Sequence, residues 1–194
     1  QTEIISGTQI HKIGHSYRTF YMIEFAGINP ENGNPQFYTN DLLEDGTYSK
    51  EITEDATKAK SIMLDKHAEP NITGGLYNSF RYKWFDLSFL FNYQFGGYSY
   101  DTWAQKTEHG GYDMEANIPT YYADSWKNPG DITKYECFYD KSSRVAMHKI
   151  TNSRRLHSTD YFRLKTLTFG FTLPKQWTSA IGISNARLYM SANN

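Results

Sequence analysis

The sequence predicts an all-β fold whose antiparallel strands cross a membrane. Residues 86–95 alternate between large apolar and polar side chains, which is the period of a β-strand. Aromatic residues gather at both ends of this run, as they do in the interfacial girdles of membrane barrels. Long connections also alternate with short ones along the chain, which is the loop asymmetry of outer-membrane barrels.

Residues 76–97 form the clearest predicted element, a β-hairpin. Three residues, 83–85, separate its two halves, which predicts a tight turn. In the second half, one face consists of Leu87, Phe89, Phe91, Tyr93 and Phe95. The other face is polar apart from one leucine and consists of Asp86, Ser88, Leu90, Asn92 and Gln94.

A strand of a soluble β-sandwich alternates in the same way, so the alternation alone leaves both classes open. The apolar run covers about ten residues, which is the length of a tilted strand that crosses a bilayer. Aromatic residues extend the run at its two ends: Tyr82, Trp84 and Phe85 at one, Tyr93, Phe95 and Tyr98 at the other. Length and aromatic ends together favour the membrane class.

The segment before the hairpin contains one predicted short strand, 3–5, and one longer strand, 17–25. A long connection runs from residue 26 to about residue 72, and its segment 29–35, NPENGNP, is a cluster of turn residues. Thr53 followed by two acidic residues predicts a short helix over 53–63, because these residue types cap a first turn. The acidic residues of this connection lack the spacing of a calcium loop.

A second long connection follows the hairpin and runs to about residue 159. Residues 161–173 and 186–192 form the last two predicted strands, with Pro174 ending the first of them. Connections of more than about 15 residues are uncommon in compact soluble domains. We therefore expect the apolar faces of the strands to contact lipid through Leu87, Phe89, Phe91, Tyr93, Phe95, Leu167, Phe169 and Phe171.

Composition and motifs exclude several other classes. The net charge is −1, so no basic surface for nucleic acid is expected. Cys137 is the only cysteine, which rules out an internal disulfide. The six histidines lack metal-binding spacing, and the sequence has no nucleophile elbow and no phosphate-binding loop. We therefore predict no enzyme activity and no cofactor or metal.

Several stretches of the sequence resemble one family when they are taken in order. They are FAGINPENGNPQFY, PNITGGLYNSFRYKWFDLSFLFNYQFGG, WKNPGD, DYFRLKTLTFGFTLP and ARLYMSANN. This ordered set resembles the C-terminal barrel part of SusC-like (SusC/RagA) TonB-dependent transporters of Bacteroidetes-type bacteria, over residues 13–194. Two features depart from the family pattern: Trp84 stands where glycine is common, and residues 136–138 match no family motif.

The resemblance implies that residues 1–194 are one C-terminal segment of a 22-stranded barrel with a plugged lumen, contributing about five or six strands. It implies long extracellular loops, short periplasmic turns and a place in the cell outer membrane. The plug domain and the segment that TonB contacts are expected to lie outside this segment. The implied partners are a SusD-like surface lipoprotein, TonB acting through the plug, outer-membrane lipid and a nutrient cargo.

Aromatic residues of the second long connection are the candidates for meeting the cargo or the lipoprotein lid, because their rings stack on sugars and anchor interfaces. They are Trp103, Tyr112, Tyr121, Tyr122 and Trp126. For each of them, packing within the loop is the alternative. A neutral oligosaccharide is the first choice of cargo and an oligopeptide the second. A soluble sugar-binding β domain and a passive porin remain alternative functions.

Overall fold

A computed structural model describes residues 3–111, 116–138 and 150–194. Most of the regular structure in these ranges is β-strand, which confirms the all-β prediction. The strands are β1 Ile4–Ser6, β2 Gln9–His11, β3 Thr19–Ile23, β4 Phe25–Ile28, β5 Pro35–Tyr38, β6 Ile52–Thr53, β7 Ser61–His67, β8 Ile72–Tyr82, β9 Phe85–Phe95, β10 Tyr98–Tyr100, β11 Leu156–Ser158, β12 Tyr161–Thr172 and β13 Arg187–Asn193. Two short helices accompany them, α1 Thr102–Thr107 and α2 Lys175–Ser179. Neither helix has the length and apolar character needed to cross a bilayer.

The chain divides into two compact units. The strand unit comprises residues 70–97 and 159–194, and the loop unit comprises residues 1–69 and 98–158. The strand unit is one open antiparallel sheet in the order β13-β12-β9-β8, so this segment does not close into a barrel by itself.

The predicted hairpin is β8 and β9, which pair without interruption from Ile72 opposite Phe95 to Tyr82 opposite Phe85. The turn is one residue shorter than predicted, because Phe85 already pairs with Tyr82 and only Lys83 and Trp84 connect the strands. Lys83 has φ +52°, the left-handed conformation that a two-residue hairpin turn demands. Each strand is roughly 35 Å long at about 3.3 Å per residue.

One face of this sheet is apolar across all four strands, with Asn78 of β8, opposite Phe89, as the polar exception. Because paired residues share a face, the register places the eight residues predicted to contact lipid on the same side. The register adds further apolar residues to that side: Leu76, Phe80, Tyr82, Phe85, Phe162, Leu164, Leu188 and Met190. A bulge between Leu164 and Thr166 makes this possible, because it restores the alternation that the sequence of β12 breaks.

The opposite face of the sheet is polar and contains an ion pair that spans three strands. The Arg187 guanidinium on β13 donates from Nε to Asp86 Oδ1 on β9 at 3.1 Å, and its Nη2 pairs with Oδ2. The intervening residue on β12 is Gly170, where a Cβ atom would lie 2.5 Å from both side chains. Gly170 therefore leaves the space through which the two charges meet.

The loop unit contains three small sheets and two buried clusters. The sheets have the orders β1-β2-β3-β7, β4-β5-β6 and β10-β11. Phe20 and Met22 of β3 pack with Leu156 in one cluster, and Phe37 packs with Ala56 and Ala59 in the other. The long connections are thus folded structures with their own cores.

Two predictions for residues 17–63 differ from the structure. The predicted strand 17–25 is interrupted at Glu24, between β3 and β4. The predicted helix over 53–63 is a turn followed by β7, because Asp55 Oδ1 accepts bonds from both the backbone and the hydroxyl of Thr57 and so competes with helical bonding. Pairing of β7 with the distant β3 then decides the conformation of 61–67.

Candidate functional site

Four of the five candidate aromatic residues lie within the described ranges, and Trp103 is the most exposed of these four, with 73% of its surface accessible. It lies in α1, whose first turn is capped by Asp101: the carboxylate accepts from the backbone N–H groups of Trp103 and Ala104 at 2.9 and 2.8 Å. The Lys106 ammonium lies 5.2 Å from the centre of the indole. The ring is therefore held on the surface by a short, well-capped helix.

Tyr121 and Tyr122 are neighbours on one 3-10 turn but have opposite environments. Tyr121 is 43% exposed, and its hydroxyl donates to Glu108 Oε1 at 3.1 Å. Tyr122 is fully buried, with its ring centre 5.2 Å from that of Tyr135 and 5.4 Å from that of Phe138. The ring of Tyr122 therefore packs within the loop, which is the alternative given above for these residues. Tyr112 lies outside the described residues.

Trp126 is half-buried, and its ring packs against the predicted turn cluster at 29–35. Its indole N–H donates to the carbonyl of Pro30 at 2.7 Å. The backbone N–H of Cys137 donates to the carbonyl of Gly33 at 3.1 Å, next to the same ring. Trp126 therefore joins the two long connections, and only part of its ring is available to a ligand.

The turn cluster itself is organised around one carboxylate. Glu54 accepts side-chain amide bonds from Asn29 at 2.6 Å, Asn32 at 3.0 Å and Asn34 at 2.6 Å. Asn29 and Asn32 also accept backbone bonds within the turn. The three asparagines of NPENGNP thus position the loop on which Trp126 packs.

A buried ion cluster lies beneath Tyr121. Arg154 donates from Nη2 to Glu108 Oε2 at 3.0 Å and from Nη1 to Glu136, while Arg155 Nε lies 3.6 Å from Glu108 Oε2. The Glu136 side chain is only 2% exposed. Two positive and two negative charges balance within the cluster, which is the condition for burying ions in a protein interior.

Aromatic rings flank the central cation of this cluster. The Arg154 guanidinium carbon lies 5.7 Å from the ring centre of Phe25 and 5.7 Å from that of Tyr135. Such cation–π contacts strengthen when the cation is shielded from water. Arg154 therefore connects β4, the C-terminal end of α1 and the segment around residue 136.

The cluster also determines the protonation of its neighbours. Burial raises the pKa of Tyr121 to about 12, and the Glu108 carboxylate adds to the effect. Burial raises the pKa of Tyr122 as well, reinforced by Glu136. Burial acts to lower the pKa of Arg154, but the two carboxylates outweigh it and raise the pKa. The phenols are therefore neutral and Arg154 is charged at physiological pH.

Sequence reasoning did not find the ion cluster. Its members are 18 and 46 residues apart along the chain, without a spacing typical of any local motif. One feature of the sequence does point to the cluster: residues 136–138 depart from the family pattern, and Glu136 lies at the centre of the cluster. Charge pairing at such separations is decided only by tertiary packing.

Gly33→Ala is expected to destabilise the loop unit by about 2–4 kcal/mol. Two costs add up: alanine is held in the left-handed backbone conformation, and its Cβ atom clashes with neighbouring side chains. Gly33 has φ +70°, and a Cβ atom there would lie 2.6 Å from the Trp126 ring and 2.8 Å from Cys137 Cβ. Gly46→Ala is the matched control, because Gly46 has φ +82° with nothing within 4 Å. Hydrogen exchange of the Cys137 amide measures the difference, and equal effects of the two substitutions would contradict the packing role.

Comparison with known proteins shows the same kind of protein in both sequence and structure searches. The chain is 31% identical over 123 residues to TonB-dependent receptor P39 of Formosa agariphila, covering 63% of this chain and 12% of that protein. It is 27% identical over 196 aligned positions to TonB-dependent receptor P3 of the same organism, covering 96% of this chain and 18% of that protein. None of the protein-family profiles matches the chain.

Among solved structures, the RagAB peptide transporter superposes with a TM-score of 0.74 at 26% identity, over 96% of this chain and 20% of that one. The closed-closed state of the RagAB peptide importer gives 0.76 at 26% identity, over 99% of this chain and 21% of that one. The chain resembles SusC/RagA-like TonB-dependent transporters. This similarity confirms the family resemblance found in the motifs. The SusC/RagA-like chain spans about a fifth or less of the length of these relatives.

Proposed function

We propose that this SusC/RagA-like chain is the C-terminal barrel segment of a TonB-dependent transporter that imports a nutrient across the cell outer membrane. The observation that carries the proposal is the apolar face of the strand unit, which continues over four paired strands and across the bulge in β12. A face of this kind suits lipid, and the polar opposite face suits a plugged lumen. A soluble sugar-binding domain would instead need a second layer to cover the apolar face.

The same proposal assigns the partners. The eight apolar residues predicted from the alternation contact lipid, the plug fills the barrel from a part of the protein outside this segment, and TonB acts through the plug. A SusD-like surface lipoprotein works with the transporter as its lid. The likeness to the RagAB importer over nearly the whole chain supports this assembly.

For the cargo we propose a neutral oligosaccharide. Trp103 and Tyr121 present exposed rings that suit the apolar faces of sugars. Acidic residues on the first connection disfavour an anionic cargo by like-charge repulsion. An oligopeptide is the second candidate, and the observation that favours it is the similarity to a peptide transporter.

Exchange of residues 98–159 tests the cargo proposal. The segment is replaced in the full transporter by that of a relative with a different nutrient, and uptake of a labelled oligosaccharide and a labelled oligopeptide is measured. We expect the preference to follow the exchanged segment, because it contains the exposed rings. Exchange of the short connection 175–185 is the control. Unchanged preference after the first exchange would contradict the assignment.

Accessibility of inserted epitope tags tests the topology. We expect tags at Lys58 and Gly130 to bind antibody on intact cells, because both lie at exposed positions of the long connections. A tag between Lys83 and Trp84 should bind only after permeabilisation, because this turn is expected in the periplasm. Gly33 and Gly110 are unsuitable sites because both are buried. The opposite pattern of binding would reverse the topology.

A further inference from the structure

Residues 41–49 form a small hairpin in the loop unit whose tip leaves apolar side chains uncovered by the other described residues of this segment. We call this segment the apolar tip. Leu42 is 67% exposed, and Leu43 and Tyr48 are exposed as well. Leu42 and Tyr48 face each other across an isolated antiparallel bridge, so their side chains share one side of the hairpin. None of these residues belongs to the aromatic site or the ion cluster described above.

Hydrogen bonds within residues 41–49 hold the apolar tip in a defined conformation. The backbone N–H of Leu43 donates to Thr47 O at 2.8 Å, and that of Ser49 donates to Asp41 O at 2.8 Å. Asp45 Oδ1 accepts from the backbone and the hydroxyl of Thr47 at 2.9 and 2.7 Å. These bonds fix the turn, so Leu42 and Tyr48 are ordered before any partner arrives. Preordering of this kind lowers the entropy cost of binding.

Charge around the apolar tip limits what it can bind. Glu44 and Asp45 lie within the turn and Glu51 follows it, and all three are exposed. The neighbouring cations are engaged nearby, since Lys60 pairs with Asp41 at 2.6 Å and Lys50 pairs with Glu24. An acidic rim is repelled by an anionic lipid surface and attracted to a basic protein surface. Two leucines and a tyrosine inside a polar rim match the anatomy of a protein interface.

We infer that the apolar tip docks into an apolar depression bordered by lysine or arginine on the SusD-like lipoprotein. The identity of this partner rests on the proposed function, whereas the apolar surface and its acidic rim are independent of it. Leu42 and Tyr48 fill the depression, and Glu44, Asp45 and Glu51 pair with its basic border. The tip is thus a second contact surface, separate from the exposed rings at Trp103 and Tyr121.

Photo-cross-linking in intact cells tests this inference. A benzophenone amino acid replaces Leu42, Tyr48 or Ile132 in the full transporter, with a tagged SusD-like lipoprotein present. Ile132 is the control because it is 96% exposed and lies elsewhere in the loop unit. We expect adducts with the lipoprotein from positions 42 and 48 and none from position 132. Adducts with lipid alone, no adducts, or equal adducts from all three positions would overturn the inference.

Co-purification gives a second, quantitative measurement. We expect the double substitution Leu42→Ser and Tyr48→Ser to weaken retention of the lipoprotein by roughly tenfold or more, because both side chains lie at the centre of the proposed contact. Ile132→Ser should leave retention unchanged, and each variant should fold because exposed substitutions change stability little. Equal retention by all variants would contradict the inference that the apolar tip binds the lipoprotein, but it would not contradict the transporter proposal. If the unaltered transporter retains no lipoprotein and its uptake is independent of TonB, both proposals are wrong.

Discussion

Arg154→Met is expected to destabilise the loop unit by about 3–5 kcal/mol, because removal of one partner leaves buried charges uncompensated. Arg154 bridges Glu108 and Glu136, whose side chains are 8% and 2% exposed. Arg155 Nε, 3.6 Å from Glu108, compensates only one of the two carboxylates. Hydrogen exchange of residues 101–138 in the full transporter measures the free energy of local opening.

Two further variants separate charge from shape. Arg154→Lys keeps the positive charge but offers no planar fork, so we expect a smaller loss than for methionine. The double substitution Glu136→Gln and Arg154→Met should recover part of the loss, because the two ions that stay buried, Glu108 and Arg155, still pair with each other. Arg163→Met is the matched control, since Arg163 is exposed on β12. An effect of Arg154→Met no larger than that of the control would contradict the importance of the cluster.

Phe91→Arg is expected to cost about 2–4 kcal/mol in the folded transporter, as for arginine placed on the lipid face near the bilayer midplane. Phe91 lies near the middle of β9, opposite Leu76 on one side and Leu164 on the other, and its ring stacks on that of Phe162 at 4.8 Å. Heat-modifiability on gels and urea unfolding in lipid vesicles measure the loss.

The register determines the control for this prediction. Asn92 is on the polar face but lies directly opposite Arg163, so a second arginine there would meet a like charge. Ser88 is the better control, because its partners Ser79 and Thr168 are neutral. Ser88→Arg is expected to be tolerated. Equal damage from Phe91→Arg and Ser88→Arg would contradict the assignment of the apolar face to lipid.

The sequence by itself determined the hairpin and its two faces. Alternation in β9 is a local property with a period of two, so the residues of each face can be predicted without a partner strand. The turn cluster at 29–35 was predictable for the same reason, since asparagine, glycine and proline favour turns through their own backbone geometry. The ordered set of family motifs also indicated the kind of protein, a SusC/RagA-like transporter.

Only the tertiary structure decided the bulge in β12, the strand in place of the predicted helix, and the ion cluster. The bulge lies where β12 pairs with β9, and Leu164 joins the apolar face through that pairing alone. Residues 61–67 become β7 because β3, some forty residues earlier, offers a strand partner. Tyr135 contacts both Tyr121 and Tyr122, whereas Phe138 packs against the ring of Tyr122, which is the buried one. In each case the deciding contact is long-range, and no short window of sequence contains both partners.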